Sequence, residues 1–138
     1  MQYWLFKSEP DTWGWHDQTA RGEKGEEWDG VRNYQARNFM RQIALGDQGF
    51  FYHSQKQKAI VGIVEVIAVS HPDSTSDDSR WECVDIKSLS AVDPPVTLAM
   101  IRKDPRLATM MLVNNPRLSV QPVSAEHWQI ICDMHRGD

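Results

Sequence analysis

The chain has 138 residues, which suits one ordinary domain and is too short for two sizeable ones. Hydrophobic residues make up 41% and charged residues 25%, which excludes a disordered or collagen-like protein. No apolar run approaches the ~20 residues of a spanning helix, so we expect no membrane partner. We predict a single domain over residues 1–138. Cys83 and Cys132 are too few for a disulfide scaffold, which favours a reducing, cytoplasmic location.

The net charge of -4 is unevenly distributed along the sequence. The window 31–58 contains five basic residues and a single acid, Asp47, so a local positive patch is possible on an acidic protein. In that patch Arg32, Arg37 and Arg41 would contact phosphates. The alternative is that these side chains point in several directions and form no patch.

Residues 2–8 alternate in a period-2 pattern that predicts a strand. Asp11 or Thr12 can cap a short helix that ends near Ala20. Residues 21–30 are polar and glycine-bearing, which predicts a loop. Trp28 lies in that loop, outside any apolar stripe, so we predict that it lies outside the core.

The apolar stripe within residues 33–45 predicts a helix with Asn33 as its N-cap. Two strands follow, at 48–54 and 59–70, the second of them largely buried. Gly62 in the second strand indicates a bulge or a close approach of another group.

The second half begins with a polar loop at 71–80 and a strand at 81–89. We expect the prolines at 94 and 95 to end this strand. Thr97 can cap a short helix, 118–123 predicts a short edge strand, and Ser124 can cap a final helix. About five strands separated by hairpin-length gaps favour an α+β fold with a curled, barrel-like sheet over a Rossmann arrangement.

Metal and cofactor motifs are absent from the sequence. The five histidines and two cysteines show no HxH, HExxH or CxxC spacing, so we predict no metal site. There is neither a GxxxxGK[ST] nor a GxGxxG motif, so we predict no nucleotide cofactor.

Nucleophilic catalysis has one candidate group of residues. His53 and Ser54 are neighbours on a strand and point to opposite faces, so they cannot pair with each other. Ser8 could face His53 across a sheet, which keeps a His/Ser-dependent hydrolase as an alternative. The simpler interpretation is that all three are polar strand ends that bond to backbone, and we predict that the protein is not an enzyme.

Polar side chains collect at the predicted ends of the first two strands, in the 21–30 loop and at the start of the 33–45 helix. If these ends converge, they form a concave pocket with an aromatic wall. Such a pocket is typical of sites that hold a flipped-out or single-stranded base, where one ring stacks and polar groups read the base edge. The residues at these ends are Lys7, Ser8, Glu9, Trp28, Asp29, Asn33, Arg37, His53 and Ser54.

Five segments together resemble the EVE domain family, which belongs to the PUA-like superfamily and is related to YTH and ASCH domains. They are YWLFKSEPD (3–11), WDGVRNYQARNFMR (28–41), GFFYHS (49–54), IVGIVEV (60–66) and LSVQPVSAEHW (118–128). The match runs in order along nearly the whole chain. Many relatives carry a longer insertion where this sequence has the short, acidic loop 71–80.

The resemblance implies a PUA-like fold, a curved mixed sheet or pseudo-barrel of five or six strands flanked by short helices. It also implies a non-catalytic domain that reads a modified cytosine or adenine in DNA or RNA. YTH relatives hold a methylated adenine in an aromatic cage. Carried over to this sequence, the resemblance places Trp28 at the ligand wall, with Trp81 as a second candidate and Ser119 nearby. The pocket residues that it implies are Ser8, Glu9, Trp28, Asn33, Arg37, His53 and Ser54.

Two other functions stay open at this point. A pocket for a free nucleoside-like small molecule fits the acidic net charge better than binding to a long duplex does, because neutralising many phosphates requires many bases. The hydrolase is the other alternative, although no acid–base–nucleophile set has a recognisable spacing.

Overall fold

The structure is a computed structural model that describes residues 1–115 and 117–136. Six strands form one mixed sheet in the order β2-β5-β4-β3-β1-β6. The pair β1–β3 is parallel and the other pairs are antiparallel. The strands are β1 (Tyr3–Ser8), β2 (Glu26–Glu27), β3 (Gln48–His53), β4 (Ala59–Pro72), β5 (Glu82–Thr97) and β6 (Val120–Val123). The predicted curved mixed sheet is confirmed, with β2 and β6 as its two edges.

Five short α-helices lie in the described part of the chain. They are α1 (Trp15–Ala20), α2 (Tyr34–Met40), α3 (Leu98–Lys103), α4 (Met111–Asn114) and α5 (Ala125–Arg136). Two short 3-10 helices add to them, Gly22–Lys24 and Pro105–Leu107. None of the described helices has the length and apolarity required to cross a membrane.

Three predicted N-caps are confirmed. The side chain of Asn33 accepts a hydrogen bond from the Ala36 N–H (2.9 Å), and Thr97 and Ser124 cap α3 and α5 in the same way. Helix α2 is shorter than predicted and ends at Met40. The N–H groups of Gln42 and Ile43 donate to carbonyls three residues back, and the Ala44 N–H donates to the Asp47 carboxylate (2.9 Å) instead of continuing the helix.

Strand β5 is longer than predicted and passes the two prolines that we expected to close it. Its pairing with β4 jumps from Gly62↔Ala91 to Ile60↔Val96, so four residues of β5 face one residue of β4. Pro94 and Pro95 lie in this bulge, where no ladder N–H is required of them.

The sheet is buried on both faces, because each face packs against a separate hydrophobic cluster. Trp4, Phe6 and Phe51 belong to one cluster, which includes α2, whereas Leu5 and Phe50 belong to the other, which includes α3, α4 and α5. Consecutive residues alternate between the clusters, as the period of a strand requires. The alternation in residues 2–8 therefore predicted the strand, while the second buried face accounts for the absence of polar residues between Tyr3 and Phe6.

Gly62 lies at a bulge and also allows the close approach of another group, the two alternatives that we predicted for it. The register between β4 and β5 shifts next to Gly62, and a Cβ at this position would lie 2.4 Å from the ring of Trp15. Only glycine leaves room for that ring, which also packs edge-to-face on Phe51 (5.4 Å between centroids). This contact holds the start of α1 against the sheet.

Candidate functional site

A cavity of about 510 Å³ opens at the carboxyl end of β1. Its walls come from the end of β1 with the following turn, from β2 with the loop up to residue 32, and from the residue before β6. Backbone bonds fix β1 on both sides, since Lys7 N–H donates to the Ser119 carbonyl and Ser54 N–H donates to the Ser8 carbonyl (both 2.9 Å). The lining residues are Lys7, Ser8, Glu9, Thr12, Trp13, Glu26, Glu27, Trp28, Asp29, Gly30, Val31, Arg32 and Ser119.

The structure brings five of the predicted site residues together in this lining. They are Ser8, Glu9, Trp28, Arg32 and Ser119. The other six lie outside the lining and are Asn33, Arg37, Arg41, His53, Ser54 and Trp81. The predicted convergence of polar residues therefore occurs at the end of β1 and in the 26–32 loop. The polar residues at the start of α2 and at the end of β3 lie outside the cavity lining.

Trp28 lines the cavity and also belongs to the core, in contrast to the prediction that it lies outside the core. Only 7% of its surface is exposed. Its ring packs edge-to-face on Phe6 and Phe51, with both centroid distances at 5.5 Å. Its backbone N–H donates to the Val84 carbonyl (2.8 Å), so pairing with β5 carries the residue inward. A polar flanking sequence could not reveal this long-range pairing.

Trp13 is a second tryptophan of the cavity wall, which the sequence analysis did not select. Its indole Nε1–H donates to Oε1 of Gln18 (3.0 Å), and the buried Gln18 amide in turn donates to the Ile86 carbonyl (3.1 Å). A buried glutamine with both ends bonded holds the ring at one orientation. The only local signal was the WGW segment at 13–15.

Ser8, His53 and Ser54 make structural hydrogen bonds and do not form a catalytic pair. The Ser8 hydroxyl donates to the Trp13 carbonyl (2.5 Å), and the Ser54 hydroxyl donates to the Ser8 carbonyl (3.2 Å). Trp15 N–H donates to Nε2 of His53 (2.9 Å), so the ring proton is on Nδ1, which faces Oε1 of Gln57 (2.6 Å). Both ring nitrogens of His53 are therefore occupied by groups other than a serine.

Asp73 holds the 28–32 loop at the cavity, a role that was not predicted from the sequence. One carboxylate oxygen accepts from Gly30 N–H (2.8 Å) and Arg32 (3.0 Å), and the other accepts from Thr75. Burial alone would raise the pKa of Asp73, but these hydrogen bonds outweigh it and lower that pKa to about 2. The local signal was the Asp-x-Thr spacing, which is typical of an Asx turn.

The cavity is acidic, although we expected a positive potential around it. Its lining contains four carboxylates and two basic side chains, Lys7 and Arg32. Burial, followed by the negative charges of Asp73, Glu26 and Glu27, raises the pKa of Asp29. Burial also lowers the pKa of Lys7. The arrangement thus presents several hydrogen-bond acceptors beside two aromatic rings.

Most of the arginines that we predicted to contact phosphates form ion pairs with acidic side chains of the segment 73–82. Arg32 pairs with Asp73, and Arg41 donates to Glu82 (Nε to Oε2, 2.6 Å). Arg37 donates to the backbone carbonyl of Arg80 (3.1 Å). The basic window 31–58 therefore does not form a free positive patch.

Trp81 is half-buried beside the cavity and forms a tilted ring pair, the Tyr34–Trp81 stack, with the exposed ring of Tyr34. The two ring centroids are 5.0 Å apart, and half of the Tyr34 surface is exposed. Arg32 lies over the Trp81 ring (5.6 Å) and Arg37 lies over the Tyr34 ring (4.8 Å). Because Arg32 also lines the cavity, this stack continues the cavity wall outward.

The chain belongs to the EVE domain family, which matches residues 2–134. It is 34% identical to thymocyte nuclear protein 1 of Danio rerio, over 98% of this chain and 72% of that protein. A crystal structure of a protein from Agrobacterium tumefaciens shares 54% identity with a TM-score of 0.96, over 98% of this chain and 93% of that one. The resemblance drawn from the five sequence segments is thereby confirmed.

Two further structures contain modified nucleic acids. The human THYN1 protein in complex with DNA containing 5-methylcytosine has 29% identity and a TM-score of 0.90, with 100% of this chain and 99% of that chain covered. The YTH domain of MRB1 from Zygosaccharomyces rouxii, in complex with N6-methyladenosine RNA, has 14% identity and a TM-score of 0.60, over 97% and 86% of the two chains. The second likeness concerns the fold alone, and it confirms the predicted PUA-like architecture.

Proposed function

We propose that this protein binds a modified nucleobase of DNA or RNA in the cavity lined by Trp13 and Trp28, without altering the base chemically. The observation that carries the proposal is the pairing of two tryptophans with a set of carboxylates in one cavity of about 510 Å³. An aromatic ring binds the face of any base, and fixed polar groups distinguish its edge. The DNA complex of the human relative supports the same function.

The acidic lining favours bases that carry an exocyclic amino group. The amino groups of cytosine and adenine are hydrogen-bond donors, and carboxylates such as Glu9, Glu27 and Asp29 accept from donors of this kind. Thymine and uracil present carbonyl oxygens at that position, which carboxylates repel. A modified cytosine or adenine therefore fits this cavity better than a modified thymine or uracil does.

Nucleotides next to the bound base have a place on the Tyr34–Trp81 stack. Its Tyr34 ring is exposed and its Trp81 ring is half-buried, Arg32 and Arg37 flank it, and it begins at the cavity edge. Single-stranded nucleic acids bind to such surfaces through stacked bases and nearby cations. This arrangement gives roles outside the cavity to three predicted site residues, Arg37, Arg32 and Trp81.

The test compares oligonucleotides that differ at one base. Single-stranded and duplex oligonucleotides containing one 5-methylcytosine, one N6-methyladenine or only plain bases are titrated against the protein, together with the free 5-methylcytidine nucleoside. We expect one modified oligonucleotide to bind more tightly than its plain counterpart. Asp29→Asn should reduce that preference, while the matched control Asp77→Asn, on an exposed loop, should leave it unchanged.

Two other functions give different results in the same experiment. Equal affinity for the free nucleoside and the oligonucleotide would favour a small-molecule pocket, which the acidic lining also suits. Consumption of a nucleoside, ester or phosphodiester substrate that His53→Ala abolishes would favour the hydrolase. The bonded state of His53, Ser8 and Ser54 argues against it.

A cytoplasmic location and a single EVE domain over residues 1–138 are part of the proposal. Neither Cys83 nor Cys132 forms a disulfide, which suits a reducing compartment. The vertebrate relatives are named as nuclear proteins, and the nucleus is also a reducing compartment.

A further inference from the structure

Four side chains with metal-binding atoms meet on one side of the sheet, next to the cavity. Strands β2, β5 and β4 are neighbours, and their register places Glu27 opposite Asp85 and His71 opposite Cys83. Cys83 and Asp85 are two residues apart on β5 and thus share a face. The sheet therefore assembles a group whose members are up to 58 residues apart in the sequence.

The candidate ligand atoms are close enough for one ion to reach them all. One atom from each of Glu27, His71, Cys83 and Asp85 lies within 4.8 Å of the others. His71 Nε2 is 2.7 Å from Asp85 Oδ1, and Cys83 Sγ is 3.6 Å from Glu27 Oε2 and 3.9 Å from His71 Nε2. Tetrahedral zinc, with bonds of about 2.0–2.3 Å, requires ligand atoms about 3.3–3.8 Å apart, so the longest separation must shorten by about 1 Å.

The surroundings of His71 match those of a metal-binding histidine. Its Nδ1 is 3.1 Å from the backbone carbonyl of Pro72, and its Nε2 is 2.7 Å from Asp85 Oδ1 and 3.9 Å from Cys83 Sγ. Metal-binding histidines commonly donate their second ring N–H to a backbone carbonyl, which fixes the orientation of the ring. The side chains of His71 and Asp85 are about one-third exposed, at 34% and 30%, and provide a route for an ion from solvent.

We infer that Glu27, His71, Cys83 and Asp85 form a binding site for a divalent transition metal ion such as Zn²⁺. One thiolate, one imidazole and two carboxylates are all zinc ligands, and the mixture of sulfur and nitrogen with oxygen disfavours Mg²⁺ and Ca²⁺. The prediction of no metal site rested on short motifs such as CxxC, and such motifs do not detect ligands contributed by three strands. Because Glu27 also lines the cavity, the ion would lie beside the base-binding wall.

The test uses Zn²⁺ and Co²⁺ on the full chain, after treatment with a chelator. Zn²⁺ affinity is measured by competition with a chromophoric chelator, and Co²⁺ binding is followed by the near-ultraviolet charge-transfer band that a cobalt–thiolate bond produces. We expect one ion per chain with a charge-transfer band. Cys83→Ser should abolish the band, and His71→Ala should weaken Zn²⁺ binding by about tenfold or more.

The control is Cys132→Ser, which removes the second cysteine of the sequence and should leave both signals unchanged. Since Cys83 is buried, thermal unfolding without metal checks that Cys83→Ser folds. If it does not fold, Asp85→Asn replaces it, and we expect that variant also to lose Zn²⁺ affinity. Absence of a charge-transfer band in the wild type, or a band lost in Cys132→Ser and kept in Cys83→Ser, would overturn the inference. None of these measurements involves a nucleic acid, so they succeed or fail independently of the proposed function.

Discussion

Trp28 contributes both to the hydrophobic core and to the cavity wall, because one edge of its ring is in the core and another part borders the cavity. A buried aromatic side chain truncated to alanine costs about 3–5 kcal/mol of folding free energy, since the cavity that remains is only partly filled. We expect Trp28→Ala to lower the free energy of unfolding by that amount and also to weaken base binding. Chemical denaturation and ligand titration of the same variant measure both effects.

Trp13 provides the contrasting case at the same cavity. Its ring is partly exposed, so Trp13→Ala should cost less stability than Trp28→Ala. A base stacked on an aromatic ring gains about 1–3 kcal/mol, so affinity should fall by roughly ten- to a hundredfold. Trp128→Phe, on the other side of the sheet, is the control. Unchanged affinity in Trp13→Ala would remove this ring from the binding site.

Residue identity alone could not separate these tryptophans. Trp13 and Trp28 both lie in polar, glycine-bearing sequence. Trp28 is nevertheless buried, with 7% of its surface exposed, whereas Trp13 is partly exposed. The difference arises from contacts that reach β5, directly to the Val84 carbonyl for Trp28 and for Trp13 through Gln18, which donates to the Ile86 carbonyl. Sequence patterns report the neighbours of a residue along the chain, and these two positions depend on neighbours across the sheet.

At the scale of elements, Asp73 connects the 73–81 loop to the cavity wall, and its effect should depend on pH. Its pKa of about 2 in the folded chain is below its ordinary value of 3.8. A carboxyl group whose pKa is lowered by folding stabilises the protein above its ordinary pKa, and that contribution disappears as the pH falls toward 2.

Asp73→Asn tests this contribution. At pH 6 we expect the variant to be less stable than the wild type by about 1–3 kcal/mol, since hydrogen bonds to a charged group are lost. Between pH 4 and pH 2 the two proteins should converge in stability. Urea unfolding across that range, with Asp77→Asn as the control, measures the difference, and a gap that persists unchanged at pH 2 would refute the role of the charge.

Gly62 determines how closely α1 approaches the sheet. Gly62→Ala would place a Cβ 2.4 Å from the Trp15 ring, so the ring must move, at a cost of about 1–3 kcal/mol. In the double variant Gly62→Ala/Trp15→Leu the smaller side chain makes room. The combined loss measured by thermal unfolding should then be smaller than the sum of the two single losses. A purely additive result would show that the two positions are not coupled.

Element boundaries were predictable where a local side chain decides them. The caps Asn33, Thr97 and Ser124 mark helix starts, because each needs only its own helix to make its bond. Strand β2 has two residues and exists only through pairing with β5, so no periodicity could indicate it. Pro94 and Pro95 normally end a strand, and the bulge opposite β4 that accommodates them is a property of the pair.

For the whole molecule, the charge distribution limits how strongly salt affects nucleic-acid binding. The net charge is -4, and Arg41 is paired with Glu82, so few cations are available for phosphates. Two phosphate contacts on a single strand give a slope of about -1.4 for log affinity against log salt concentration. We expect a slope of roughly -1 to -2 that Arg41→Ala leaves unchanged. A slope steeper than about -4 would require a basic surface that this structure lacks in its described residues.

The most direct measurement of base binding follows the indole N–H signals of the six tryptophans by NMR during titration with an oligonucleotide that contains one modified cytosine or adenine. Binding in the proposed cavity should shift the signals of Trp13 and Trp28 strongly, shift that of Trp81 less, and leave those of Trp4 and Trp128 in place. The same oligonucleotide without the modification should produce smaller shifts at equal concentration. Shifts confined to Trp128, or identical shifts with the plain oligonucleotide, would contradict the binding of a modified base in this cavity.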